Sequence, residues 1–257
     1  MYLTKQIIYG EHAINQLPIV AKQNDIKHIC VIYSASAMKD WQQQLNVALK
    51  EQNIEVTFYR MPKGEPTTNF LERCLQLVNG SKCDGIVAIG GGSALDLGKA
   101  VAALALNDGV ALSELVQMPS IKRLPFIAVP TTAGTGSEAT KVTVITDAAK
   151  GIKLNPGHPN LIPDIAILDP VLTLSVPNQI TAFTGIDALT HAIEAYVSTK
   201  ATILSDLYAL QAVEMITTNI IKAYEEPTNL EARGQMLLAS YYAGIAFSNS
   251  STNLAHA

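Results

Sequence analysis

The chain has 257 residues, 48% hydrophobic and 16% charged, with a formal net charge of −4. That apolar content supports a sizeable core and argues against bulk disorder. The negative balance, with no basic run denser than Lys122-Arg123, argues against a nucleic-acid binder, which carries a basic patch or stripe.

No apolar stretch reaches the roughly 18 residues needed to span a membrane, and the N-terminus lacks the apolar core of a signal peptide. Cys30, Cys74 and Cys83 are odd in number and form no C-x-x-C pair. They read as buried thiols, and the expected location is the cytoplasm.

In the first part of the chain, short apolar runs alternate with amphipathic ones. Strands are expected at 29–33, 54–59, 85–89, 126–129 and 165–168, and helices at 37–52, 69–78 and 93–106. Strands apolar on both faces and separated by helices imply a parallel sheet covered on both sides. Residues 140–146 are β-branched and alternating, which predicts one more strand, and 155–163 reads as a Pro-rich loop. After Pro177 the pattern turns helical: 178–198 with a break at Gly185, 205–226, and 230–247. The expected architecture is an α/β domain with a parallel sheet over 1–175, followed by an all-α domain over 176–257.

Two loops stand at strand ends. Gly90-Gly91-Gly92-Ser93-Ala94-Leu95-Asp96-Leu97-Gly98-Lys99 joins a strand to a helix, and reads either as a phosphate-binding turn or as a plain glycine-rich turn with Ser93 as N-cap. Glycines allow close backbone approach, and a helix N-terminus favours phosphate. The spacing is not that of a Walker A loop, and Ala100 replaces the Mg²⁺-holding hydroxyl. Nor is it G-x-G-x-x-G, because Leu95 fills the third glycine position. Pro130-Thr131-Thr132-Ala133-Gly134-Thr135-Gly136-Ser137-Glu138 adds hydroxyls and bare N–H groups at a second strand end. Two such loops in one sheet point to a nucleotide site, because open α/β sheets bind ligands at the carboxyl ends of their strands.

In the helical part, Asp187 and His191 stand four apart and share a helix face. They are either half of a metal site or an ordinary surface pair. His12, His28 and His158 read as surface or structural histidines.

With these motifs and Leu161-Ile162-Pro163-Asp164 in this order, the chain resembles the iron-containing (group III) alcohol dehydrogenases over its whole length. The resemblance implies a dinucleotide-binding α/β domain, a helical domain and a divalent metal between them. It implies hydride transfer between NAD or NADP and a small alcohol or aldehyde, with Fe²⁺ as the metal and Zn²⁺ as the alternative. A homo-oligomer is implied too. By position, Asp187, His191 and His256 match metal ligands. Ser34, Gly91, Gly92, Ser93, Asp96, Thr131, Thr132, Lys153 and Leu172 match cofactor contacts. Ser34 stands where many NAD-using members carry an aspartate, so a 2′-phosphate meets no like charge there, and Lys39 is a nearby cation that could pair with it.

On the resemblance the chain is C-terminally truncated, since the family's fourth ligand, a histidine, lies beyond the position of Ala257. Such a chain is expected to bind metal poorly and to associate through uncovered apolar faces at 208–221 and 236–247. The alternatives are an inactive nucleotide-binding fragment or assembly partner, and a relative of the polyol-phosphate dehydrogenases or dehydroquinate synthases.

Overall fold

The apolar runs pair into one six-stranded sheet in a computed structural model that describes residues 1–34, 42–252 and 254–256. In chain order the α/β part contains β1 (Gln6–Tyr9), α1 (Leu17–Gln23), β2 (His28–Ser34), α2 (Gln42–Glu51), β3 (Glu55–Met61), α3 (Thr68–Ser81), β4 (Gly85–Gly90), α4 (Gly92–Leu104) and β5 (Phe126–Pro130). It continues with β6 (Ile145–Asp147), β7 (Ile152–Leu154) and β8 (Ile165–Leu168). Three long helices follow: α5 (Asn178–Tyr196), α6 (Ile203–Glu225) and α7 (Leu230–Asn249). The sheet runs β1-β8-β5-β4-β2-β3 with every pairing parallel, while β6 and β7 form a separate antiparallel ribbon.

The strands that read as continuous apolar runs are the central ones. Every residue of β4, β5 and β8 is buried, because helices cover both sheet faces. Of the edges, β1 is mostly exposed and β3 mostly half-buried. The cysteines are free and buried under α3 and α4, in one cluster with Ile86, Leu97 and Phe126. The three long helices meet through small residues. On α5 the buried stripe is Thr181, Gly185, Ala188, Ala192 and Ala195, stepping by four and three. Ala212 and Ala223 of α6 and Ala232, Ala239 and Ala243 of α7 face the same cluster. α7 also reaches the sheet: Leu237, Tyr241 and Ile245 share a cluster with Ala166 and Leu168 of β8.

Several expectations change. Helix α5 is unbroken at Gly185. A side chain there would come within 2.8 Å of Met236 Cε and 2.9 Å of Ile220 Cδ1, so the glycine permits close helix packing rather than ending a helix. The strand expected at 140–146 shrinks to β6. Residues 140–144 give their polar groups to α4 instead: Thr143 Oγ1 donates to the Asp96 carbonyl at 2.7 Å, and the Val144 N–H donates to Asp96 Oδ2 at 3.1 Å. The N-cap of α4 is Gly91, not Ser93. The short elements β1, α1 and β7 escape sequence reading. Of the helix expected at 37–52, the part before Gln42 lies outside the described residues, as does Lys39.

The face of α7 expected to be open is closed: Met236, Leu237 and Tyr241 are buried. An apolar face on α5 and α6 is exposed, with Phe183 at 61%, Leu207 at 60% and Ile221 at 65%. No helix among the described residues is long and apolar enough to cross a membrane.

Asp164 ties three strand starts together. Its carboxylate accepts from Arg123 Nη1 at 2.5 Å, Lys5 Nζ at 2.7 Å and the Phe126 N–H at 3.0 Å, while its carbonyl accepts the Gln6 N–H. Burial alone would raise its pKa, but Arg123 and Lys5 hold it below its ordinary 3.8. Its ionised form therefore stabilises the fold above that value, and the contribution is lost as pH falls through the lower, folded value. Asp164→Ala is expected to cost about 3 kcal/mol in urea unfolding near neutral pH, with the deficit shrinking in acid. A deficit independent of pH would contradict this.

Candidate metal and dinucleotide site

The α5 stripe that packs inward leaves Asp187 and His191 on the neighbouring face, toward the loop after β5. Asp187 Oδ2 lies 3.9 Å from His191 Nδ1. The terminal 3-10 turn Leu254–His256 brings a third donor, with His256 Nε2 3.2 Å from Asp187 Oδ1. Ligand atoms of Asp187, His191 and His256 all lie within 4.8 Å of one another, the one such cluster of three or more among the described residues. His191 is 7% exposed and stacks on Phe247 and on His256, with centroids 4.4 and 4.1 Å apart.

The electrostatics of the two rings differ. Burial lowers the pKa of His191, against the opposing pull of Asp187. Burial also acts to lower that of His256, but its hydrogen bonds to Glu194 and Asp187 leave it raised. His191 Nδ1 is buried with no hydrogen-bond partner. A buried polar atom left unpaired is costly. One carboxylate oxygen and two imidazole nitrogens converging beside it suit a divalent cation such as Fe²⁺ or Zn²⁺.

The glycine turn and the Thr131 loop end adjacent strands, β4 and β5, so they lie side by side. The Thr131 N–H donates to the Gly90 carbonyl at 2.9 Å. A side chain on Gly91 would come within 3.2 Å of Thr132 Oγ1, and one on Gly92 within 2.7 Å of Thr135 Cγ2. Gly98 brings α4 against the sheet, where a side chain would meet Ala88 and Phe126 at 2.7 Å. Ser34, at the end of β2, borders the turn through Gly90. At the far end of the Thr131 loop, Gly134 packs on Thr184 of α5, one turn before Asp187. A single loop thus connects the glycine turn to the three clustered donors.

The other expected cofactor residues lie on several elements. Ser93 lies in the first turn of α4. Lys153 is on the exposed ribbon and pairs with Glu65 at 2.9 Å. Leu172 lines a cavity of about 440 Å³ with His12, Ile14, Leu45 and Asp169. Asp96 spends both oxygens internally, on Ser137 Oγ at 2.6 Å and the Val144 N–H at 3.1 Å. His158 is buried and caps a 3-10 turn, and His28 contacts Glu55 and Thr57.

Sequence reasoning missed Lys99. It is buried and donates to Thr140 Oγ1 and the Val142 carbonyl, both at 2.7 Å. Burial pushes its pKa down to about 8, against the pull of Asp96 and Glu138. Burial likewise pushes Glu138 up to about 7. A charged residue that closes a helix turn shows no periodicity, so only its place next to the glycines hinted at a role.

The sequence model of the iron-containing alcohol dehydrogenases matches residues 4–170, and that of the C-terminal part of the Fe-containing alcohol dehydrogenase family matches 181–257. The chain belongs to the iron-containing alcohol dehydrogenase family. This family member is 47% identical to probable alcohol dehydrogenase EutG of Escherichia coli over 214 residues, covering 83% of this chain and 54% of that protein. Long-chain-alcohol dehydrogenase 1 of Geobacillus thermodenitrificans is 39% identical over 254 residues, 96% of this chain and 64% of its own. The sulfoacetaldehyde reductase of Bifidobacterium kashiwanohense, solved in complex with NAD⁺, is 32% identical with a TM-score of 0.91, covering 100% of this chain and 69% of that one. The chain spans 54% and 64% of the lengths of those two curated relatives.

Proposed function

We propose that this chain carries the dinucleotide and metal sites of a metal-dependent alcohol dehydrogenase that moves hydride between NAD or NADP and a small alcohol or aldehyde. The observation that carries the reading is the convergence of Asp187, His191 and His256 at one end of a loop whose other end borders the glycine turn. In this reading the glycine turn, led by Gly91, Gly92 and Ser93 with Ser34 beside it, takes the pyrophosphate and adenosine side. Thr131 and Thr132 orient the nicotinamide ribose, and Lys153 and Leu172 remain secondary contacts. Asp96 acts from behind, holding the Ser137–Val144 segment against α4. The boundary between the two domains is placed near Ser175, in the stretch between β8 and α5.

The three donors would hold Fe²⁺ or Zn²⁺. When bound, such an ion supplies Lewis-acid polarisation of the substrate oxygen. The protein's own part is positioning. The Thr131 loop would hold the nicotinamide side of the cofactor near the three donors, and the stacked rings of His191 and Phe247 wall one side of that site.

The test is turnover with short alcohols, diols and aldehydes after anaerobic loading with Fe²⁺ or Zn²⁺, read by nicotinamide absorbance with each cofactor. Metal-dependent reduction or oxidation is expected, and Ser34 leaves NADP usable. The absence of both metal-dependent turnover and saturable cofactor binding would remove the reading.

A further inference from the structure

Glu194 lies one turn beyond His191 on α5 and is buried, 7% exposed. Its Oε1 accepts the Ala255 N–H at 2.8 Å. Its Oε2 lies 2.7 Å from His256 Nδ1. Both oxygens of one buried carboxylate are thus spent on two consecutive residues of the terminal turn. The second ring nitrogen, His256 Nε2, faces Asp187 Oδ1 at 3.2 Å.

A neutral imidazole has a single N–H, and the better acceptor decides which nitrogen keeps it. Two carboxylates compete for it here. Glu194 is the nearer, at 2.7 against 3.2 Å, and its side chain is 10% exposed against 36% for Asp187. A shorter charge-assisted bond in a drier setting is the stronger one. The proton therefore stays on Nδ1, and the Nε2 lone pair faces Asp187. Carboxylate–histidine pairs of this kind orient metal-binding imidazoles.

We infer that Glu194 is a positioning residue of the metal site: it seats the terminal turn and holds His256 in the Nδ1–H form, leaving Nε2 as the donor atom. The inference rests on the metal-site reading above. A bond that only held the turn in place would fix the same tautomer; what marks the positioning role is a loss of metal affinity when the bond is altered while the fold stays intact.

Glu194→Gln keeps the size and can keep an acceptor for the Ala255 N–H, but it turns an NH₂ group toward Nδ1. That makes Nδ1 an acceptor and moves the ring proton to Nε2. Two measurements on the whole chain decide. Nitrogen-15 NMR of the metal-free protein at alkaline pH reads the His256 tautomer, and calorimetry reads Co²⁺ and Zn²⁺ affinity. Wild type is expected to show Nδ1–H, the variant Nε2–H, and the variant's affinity should fall roughly 10- to 100-fold with thermal unfolding unchanged. An unshifted tautomer together with an unchanged affinity would overturn the inference. Should the variant not fold, an Nε2–H tautomer in wild type would overturn it equally. If wild type takes up neither ion, the metal reading fails, and the tautomer measurement still decides whether Glu194 controls His256.

Discussion

Replacing Asp187 or His191 with alanine is expected to weaken Fe²⁺ and Zn²⁺ binding by more than about 100-fold and to remove metal-dependent turnover. Groups that merely orient a metal ligand are worth roughly 10- to 100-fold, so removing a ligand costs more. The two substitutions should differ in their effect on the fold. His191 is buried and stacked on Phe247, so His191→Ala also leaves a hole in the packing. Asp187 is more exposed, its side chain at 36%, so Asp187→Ala should leave unfolding nearly unchanged. His28→Ala serves as the control, because His28 opens β2 and engages Thr57 and Glu55 rather than the cluster. Calorimetric affinity within about threefold of wild type for both ligand variants would end the assignment.

The second large effect concerns the joint between the Thr131 loop and α7. Gly136 has a φ of +60°, in the left-handed region that side chains rarely adopt. A side chain there would come within 2.7 Å of Gly244 Cα and 2.8 Å of the Ser240 carbonyl. A side chain on Gly244 would come within 2.6 Å of the Gly136 carbonyl. Backbone packs on backbone here, and neither side can yield as a flexible side chain could. Gly136→Ala and Gly244→Ala are each expected to cost about 3 kcal/mol or more in urea unfolding, and to raise the cofactor KM as the loop shifts. Gly80→Ala on α3 meets nothing within 4 Å and should be neutral or stabilising by up to about 1 kcal/mol. Equal effects at all three positions would show that the contact does not matter.

These two joints show where sequence reading succeeds and where it stops. The glycines at 90–92 and 134–136 were legible as a group because they follow apolar strand runs. That Gly136 meets Gly244 was not legible, because a close approach between residues 108 positions apart leaves no local pattern. Gly185 misled for the same reason. Read locally, a glycine weakens a helix; in the packed molecule it makes room for Met236 and Ile220. Residues 140–146 have a strand's composition, but their first part is claimed by Asp96 and Lys99 of α4.

The sequence by itself determined the parallel α/β plan, the two loops at strand ends and the Asp187/His191 pair. Each is written in local periodicity or spacing, which the backbone geometry of strands and helices translates directly. Resemblance to a family added His256, but no spacing within the chain links it to Asp187, 69 positions away. Tertiary structure alone decided that adjacent strands bring the loops together, and that Gly134 joins them to α5. It also decided that Glu194 uses both of its oxygens to seat the turn carrying His256. Such contacts arise from how distant surfaces pack, and packing is a property of the whole chain rather than of any window within it.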